Sequence, residues 1–190
     1  MPHLVETKLE VPSGYRSSVP ARYVWQLDDQ TRRLFEALEG ATAEELAWQP
    51  APGNNTIGML LAHLAIAEAH MAAVGVEGRA DSDVPGTIGI TVDDDGLPLP
   101  EDGAPPAVLE GKDLAWFRAR VDQARAETVR IAREVTDADL SRRIVRPPRP
   151  DGGQRAFNVE WMLYHLVEHF CGHSGQILML RHLYRVRQPA

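Results

Sequence analysis

The chain has 190 residues and a mass of 21.0 kDa, with 44% hydrophobic and 25% charged residues. That is the make-up of one globular domain that can bury a core without staples. Twenty basic against 27 acidic residues leave a formal charge of −7 and a pI near 5.5, which argues against a nucleic-acid partner and against anionic membrane surfaces. The single Cys171 excludes a disulfide framework and a Cys-rich zinc module. MPHLVETKLEVPSGYRSS has no apolar signal core, and no apolar run approaches the ~20 residues of a bilayer span. The chain therefore reads as cytoplasmic, without a membrane.

Residues 1–20, polar and broken by Pro2, Pro12 and Pro20, read as a flexible N-terminal arm ahead of a domain over 21–187. From Tyr23 to Leu38, the residues Val24, Leu27, Leu34, Phe35 and Leu38 recur at helical spacing, and Gly40 supplies a stop. Thr42 to Leu46 follows as a short element in which Thr42 and Glu45 form a capping box. The next helix opens in NNTIGMLLAHLAIAEAHMAAVG, with Asn55 expected as N-cap and Gly75 as its end. Val76 to Pro106, rich in Gly, Pro and Asp, reads as a long connection. Within it Ile90 to Val92 is the most strand-like stretch, and Asp93 to Gly96 reads as a solvated turn.

A third long helix is expected over Leu109–Val135, burying Leu114, Phe117, Val121, Ala124, Thr128, Ile131 and Val135. Thr136 to Leu140 resembles a second short capped turn, and PPRPDGG (147–153) must turn. The last helix spans Asn158 to Tyr184. Four long helices and two short ones predict an all-α protein, a four-helix bundle with a long crossover loop between helices 2 and 3.

Of seven histidines, His165, His169 and His173 share the last helix. At 100° per residue, His169 and His173 lie about 40° and 80° from His165. Met162, Leu166, Ile177 and Leu180 fall in the same sector, so the imidazoles are expected inside an apolar stripe. Each would need a hydrogen-bond partner there or lose about 1–3 kcal/mol of solvation. A metal satisfies two at once, because an i, i+4 pair sets two ring nitrogens a coordination span apart. His63 lies with Leu60, Ala67 and Val74 on the core face of helix 2. His70 is one heptad further, roughly 10 Å along the axis, so the two cannot share one ion. His70 is instead expected to wall a pocket or cap the long loop. The alternative is a set of hydrogen-bonded core or interface histidines.

Other chemistries find no support. HxxxH lacks the glutamate of HExxH, no GxSxG or Gly-rich phosphate loop occurs, and Asp93–Gly96 lacks the glutamate of an EF-hand. Cys171 points away from the histidine sector.

The string EHFCGHSGQI, Glu168 to Ile177, resembles the HxxxHxGQI signature of the DinB-like (YfiT-like) metal-dependent proteins. NNTIGMLLAHLAIAE resembles that family's first-histidine segment, and EELAWQPAPG its lead-in. The similarity spans about residues 20–187, with its specific part on the two histidine helices. It departs from the family at Ser174, where a bulky or basic residue is usual, and in the long 76–106 connection.

The resemblance implies a four-helix bundle in which His63, His169 and His173 bind one divalent metal ion, zinc or nickel, with iron as a further option. It leaves His165, Gln176 and His70 as pocket walls or hydrogen-bonding partners of the ligands, with Glu160 and Glu68 as further carboxylates nearby. It also implies transfer of a small-molecule thiol, of mycothiol, bacillithiol or glutathione type, to or from an electrophile. Two alternatives are a metal-dependent hydrolase and a non-enzymatic metal or stress-response binding protein. Relatives often pair, so a homodimer is expected, with Leu163, Val167 and Leu178 as its apolar contacts.

Overall fold

The computed structural model describes residues 6, 8–148 and 152–187. Residues 1–5 and 7 of the expected arm and residues 149–151 of the expected turn lie outside the described set.

Helix α1 (Ser18–Ala37) begins inside the segment assigned to the arm. Ser17 caps it, its Oγ accepting from Val19 N at 3.2 Å, and Pro20 and Ala21 are already buried. Proline costs nothing there, because the N–H groups of a first turn have no helical acceptor. Helix α2 (Ala43–Ala47) carries the expected cap, with Thr42 Oγ1 accepting from Glu45 N at 3.1 Å.

Helix α3 (Ile57–Met71) is capped by Thr56 rather than Asn55. It is apolar nearly all round because it packs against both other core helices introduced below. The chain does not stop at Gly75; it continues as a π-helical turn, Ala72–Glu77, and ends at Gly78 with φ 90°. Gly75 is small for another reason. A Cβ there would stand 2.5 Å from Met162 Cγ, so glycine is what allows the last helix to approach. Contrary to the sequence expectation, Ile57–Glu77 has the length and mean hydropathy (1.6) of a bilayer span, but 78% of its apolar window is buried inside the protein. It is a core helix.

The 76–106 connection is not a bare loop. Helix α4 (Val84–Ile88) sits in it, and Val84, Ile88 and Ile90 are buried. Ile90 is an anchor, and Ile90–Val92 forms no strand. Helix α5 (Leu114–Glu134) starts later than expected, after Gly111 at φ 67°, and Asp113 caps it by accepting from Trp116 N. Two strands unforeseen in the sequence, β1 (Arg143–Val145) and β2 (Ala156–Asn158), pair antiparallel with Ile144 opposite Phe157. Asn158 then caps helix α6 (Val159–Val186).

The protein is predominantly helical. Helices α1 and α3 each pack against α5 and α6, and α4 rests on α3 and α5. Their shared core includes Leu27, Leu64, Phe117, Phe170 and Ile177. Leu163, expected on an outer apolar face, is buried in that core.

Candidate metal centre

His63 from α3 and His169 and His173 from α6 converge on one point. One ligand nitrogen from each lies within 4.8 Å of the others. His63 Nε2 and His169 Nε2 are 3.1 Å apart, close to the roughly 3.3 Å between two nitrogens that share a tetrahedral zinc ion. The rings of His169 and His173 sit 4.5 Å apart, and His63 faces His173 at 4.8 Å.

The three rings are half-buried at the rim of the core, not in the dry stripe that the helical wheel suggested. Burial still matters. It pushes His169 down to about 3, helped by repulsion from His173, His63 and His165. His173 is lowered by burial and by His63, against an opposing hydrogen bond from Gln176. Both rings are therefore neutral near pH 7, the form that offers a lone pair to a metal.

Two polar neighbours set the tautomers. The Asp95 carboxylate lies 2.8 Å from His63 Nδ1. A carboxylate only accepts, so Nδ1–H donates and the lone pair sits on Nε2, facing the cluster. Gln176 Oε1 lies 2.8 Å from His173 Nδ1 and fixes that ring in the same sense. Three converging imidazoles, two of them with Nδ1 held as the donor, are a donor set that fits a divalent metal ion.

The sequence profile of the DinB superfamily matches residues 26–177. The chain belongs to the DinB superfamily. That superfamily is metal-binding, and the histidine cluster fits this chemistry. No curated protein matches the chain.

The other expected site residues of this DinB protein fall in different places. His165 is turned aside, its Nδ1 3.0 Å from Glu168 Oε2 and its ring stacked on Trp161 at 4.7 Å. His70 bonds Ser82 Oγ at 2.7 Å, touching the 76–106 connection while lining a cavity next to His165. Glu68 does not approach the cluster; it is buried in an ion pair with Arg125. Glu160 is exposed in the first turn of α6, and Cys171 is exposed as well.

Asp95 was missed, and the reading of Asp93–Gly96 as a solvated turn is corrected by it. Its neighbours Asp93 and Asp94 remain at the surface, but Asp95 is buried, with Oδ1 accepting from Leu97 N and Oδ2 reaching His63. The one available signal was the apolar company of Ile88, Ile90, Leu97 and Leu99, which draws this turn onto the core.

Proposed function

We propose that this DinB protein is a metal-dependent enzyme of the cytoplasm that transfers a small thiol to or from an electrophilic small molecule. One observation carries the reading: three inward-facing imidazoles converge, and among the described residues no fourth His, Cys, Asp or Glu joins them. Such a set leaves coordination positions for a reactant, as catalytic sites do and structural sites do not.

We take His63, His169 and His173 as the ligands of a zinc or nickel ion, with iron as a further option. Such an ion supplies a Lewis acid that lets a thiol lose its proton near neutral pH. The chain's own residues do the remaining work. Asp95 and Gln176 hold two rings in the binding tautomer. His165, donating from Nδ1 to Glu168, keeps Nε2 as an acceptor beside the cavity. There it takes up the thiol proton as the new S–C bond forms and the electrophile gains the electron pair or sheds its leaving group. Holding both reactants at one rim supplies the proximity term.

In this reading the four long helices are the family's four-helix bundle, and residues 78–113 are its crossover. The protein pairs as a homodimer through the outer face of α6, where Tyr164, Leu178, Met179 and Leu183 are exposed. Val167 and Leu178 keep the role expected of them; Leu163 does not. Sedimentation equilibrium at tens of micromolar gives twice the 21.0 kDa chain mass if this holds, and the chain mass alone if it does not.

The activity is tested by incubating the metal-loaded protein with 1-chloro-2,4-dinitrobenzene and, in turn, mycothiol, bacillithiol and glutathione. A metal-dependent thioether product with one of these thiols is expected. Dinitrophenol released without thiol consumption would make the protein a hydrolase. No turnover at full metal occupancy would leave a metal-binding protein.

A further inference from the structure

Next to the candidate metal centre lies a cavity of ≈390 Å³ whose two arginines the thiol-transfer reading does not use. Its volume falls in the range of small-molecule sites. Arg146, Arg155 and His70 supply its polar wall, Phe157 and Trp161 its aromatic wall, and no Asp or Glu lines it.

The two guanidiniums that line the cavity stand without a carboxylate among the described residues. Buried Arg125 and Arg181 each sit on a carboxylate, as an acidic chain readily provides. Arg146 and Arg155 have no acidic partner among the described residues. The side-chain contact of Arg146 is His70 Nε2 at 3.4 Å, and His70 is committed through Nδ1 to Ser82. Imidazole, neutral or protonated, does not compensate the arginine charge, and burial and Arg146 hold His70 below its ordinary pKa. Arg155 is exposed and lines the cavity.

A run of rings joins this cavity to the triad. Phe157 lies 5.4 Å from Trp161, Trp161 stacks on His165 at 4.7 Å with planes 16° apart, and His165 is 6.0 Å from His169. Paired guanidiniums grip a carboxylate through parallel hydrogen bonds, and aromatic walls favour a flat neighbour.

We propose that this cavity binds the carboxylate end of a flat, unsaturated organic acid, gripped by Arg146 and Arg155, so that the remainder of the molecule lies against the histidine triad. The proposal rests on the thiol-transfer reading only in making the flat acid the electrophilic reactant.

The test is calorimetric titration of the protein, metal-loaded and again after chelation, with cinnamate and with its uncharged isostere cinnamamide. Cinnamate is expected to bind at least tenfold more tightly than the amide in both forms. Arg155→Ala is expected to lose most of that preference, Arg155→Lys to keep part of it, and Arg146→Ala/Arg155→Ala to abolish it. Arg155 is exposed, so its variants keep the parent melting temperature and stand even if Arg146→Ala loosens the fold. Cinnamate binding that disappears on chelation, or that survives the double substitution, overturns the proposal by placing the acid elsewhere. Displacement of cinnamate by glutathione would give the site to the thiol and overturn the assignment to a flat acid; independent binding of both supports it. Neither result depends on turnover, so failure of the thiol-transfer reading is seen separately.

Discussion

Asp95 and His63, 32 residues apart in the chain, meet at 2.8 Å through Oδ2 and Nδ1. The aspartate is buried and its other oxygen accepts from Leu97 N, so the carboxylate is fixed before it fixes the ring. Such partners set the tautomer of a ligating histidine and typically contribute 10–100-fold to metal affinity. Asp95→Asn is therefore expected to weaken metal binding by about that factor, measured by competition with a chromogenic chelator. Asp93→Ala, on an exposed neighbour in the same turn, is expected to change nothing. Equal affinities for the wild type and Asp95→Asn would remove the carboxylate from the site.

The choice of register on α6 is tested by metal content. His165/His169 and His169/His173 are both i, i+4 pairs, yet His165 leans onto Trp161 and Glu168 while His173 turns to His63. Single replacement of His63, His169 or His173 by Ala is expected to strip the ion under mild chelation. His165→Ala is expected to retain it while losing turnover. Elemental analysis decides between them, and loss of metal from His165→Ala with retention in His173→Ala would move the site by one turn.

In the metal-free protein the pH dependence of stability follows from His169. Its pKa in the fold is pushed down from 6.5 to about 3 by burial and the neighbouring imidazoles. As pH falls below about 6.5, the unfolded chain binds a proton at this position that the folded chain refuses until near 3, so acid favours unfolding across that window. His173, also lowered, acts in the same direction. The melting temperature of chelated protein is expected to drop between pH 7 and pH 4, and His169→Gln to flatten the slope. An unchanged slope in that variant would show that other groups govern acid sensitivity.

The long helices were legible because their apolar residues recur with a 3.6-residue period, and the short α2 because Thr42 caps it. The convergence of His63, His169 and His173 was anticipated from the EHFCGHSGQI resemblance, since helical spacing alone left His165 in contention. Strands β1 and β2 were hidden because three residues are too few to show alternation. Asp95 was hidden for a different reason. In a run of three aspartates nothing local marks the buried one, whose position depends on Val84, Ile88 and Ile90 pinning the connection to the core. Helix starts read at Tyr23 and Leu109, where the structure has Ser18 and Leu114, reflect the weak grip of composition on exact boundaries.

Gly75 and Met162 offer a test of how closely α3 and α6 must approach. A Cβ at position 75 would meet the Met162 side chain at Cγ, Sδ and Cε, all under 3.0 Å. Gly75→Ala is expected to destabilise by about 1–3 kcal/mol through overpacking. Met162→Ala removes the obstacle, so in a double-mutant cycle the alanine at 75 becomes nearly harmless. Additive losses would mean that Gly75 serves the π-helical backbone and not the helix approach.

Arg125 joins three helices at one buried point, and this explains why Glu68 is not near the metal centre. Its Nε and Nη2 donate to Glu68 Oε1 and Oε2 at 2.7 and 3.0 Å, and its Nη1 donates to Asp28 Oδ1 at 2.6 Å. Burial alone would lower its pKa, but the Glu68 and Asp28 carboxylates together outweigh that and raise it. Removing one member of such a pair strands the other charge without water, at a cost of about 3–5 kcal/mol. Arg125→Met is expected to lose that much in urea unfolding. Arg125→Met/Glu68→Leu is expected to recover most of it, because no charge is then left buried and alone. Glu68→Gln is expected to lower stability without the weaker metal binding that Asp95→Asn produces. If Glu68→Gln instead weakened metal binding as Asp95→Asn does, Glu68 would have to act on the histidines through a rearrangement of α3.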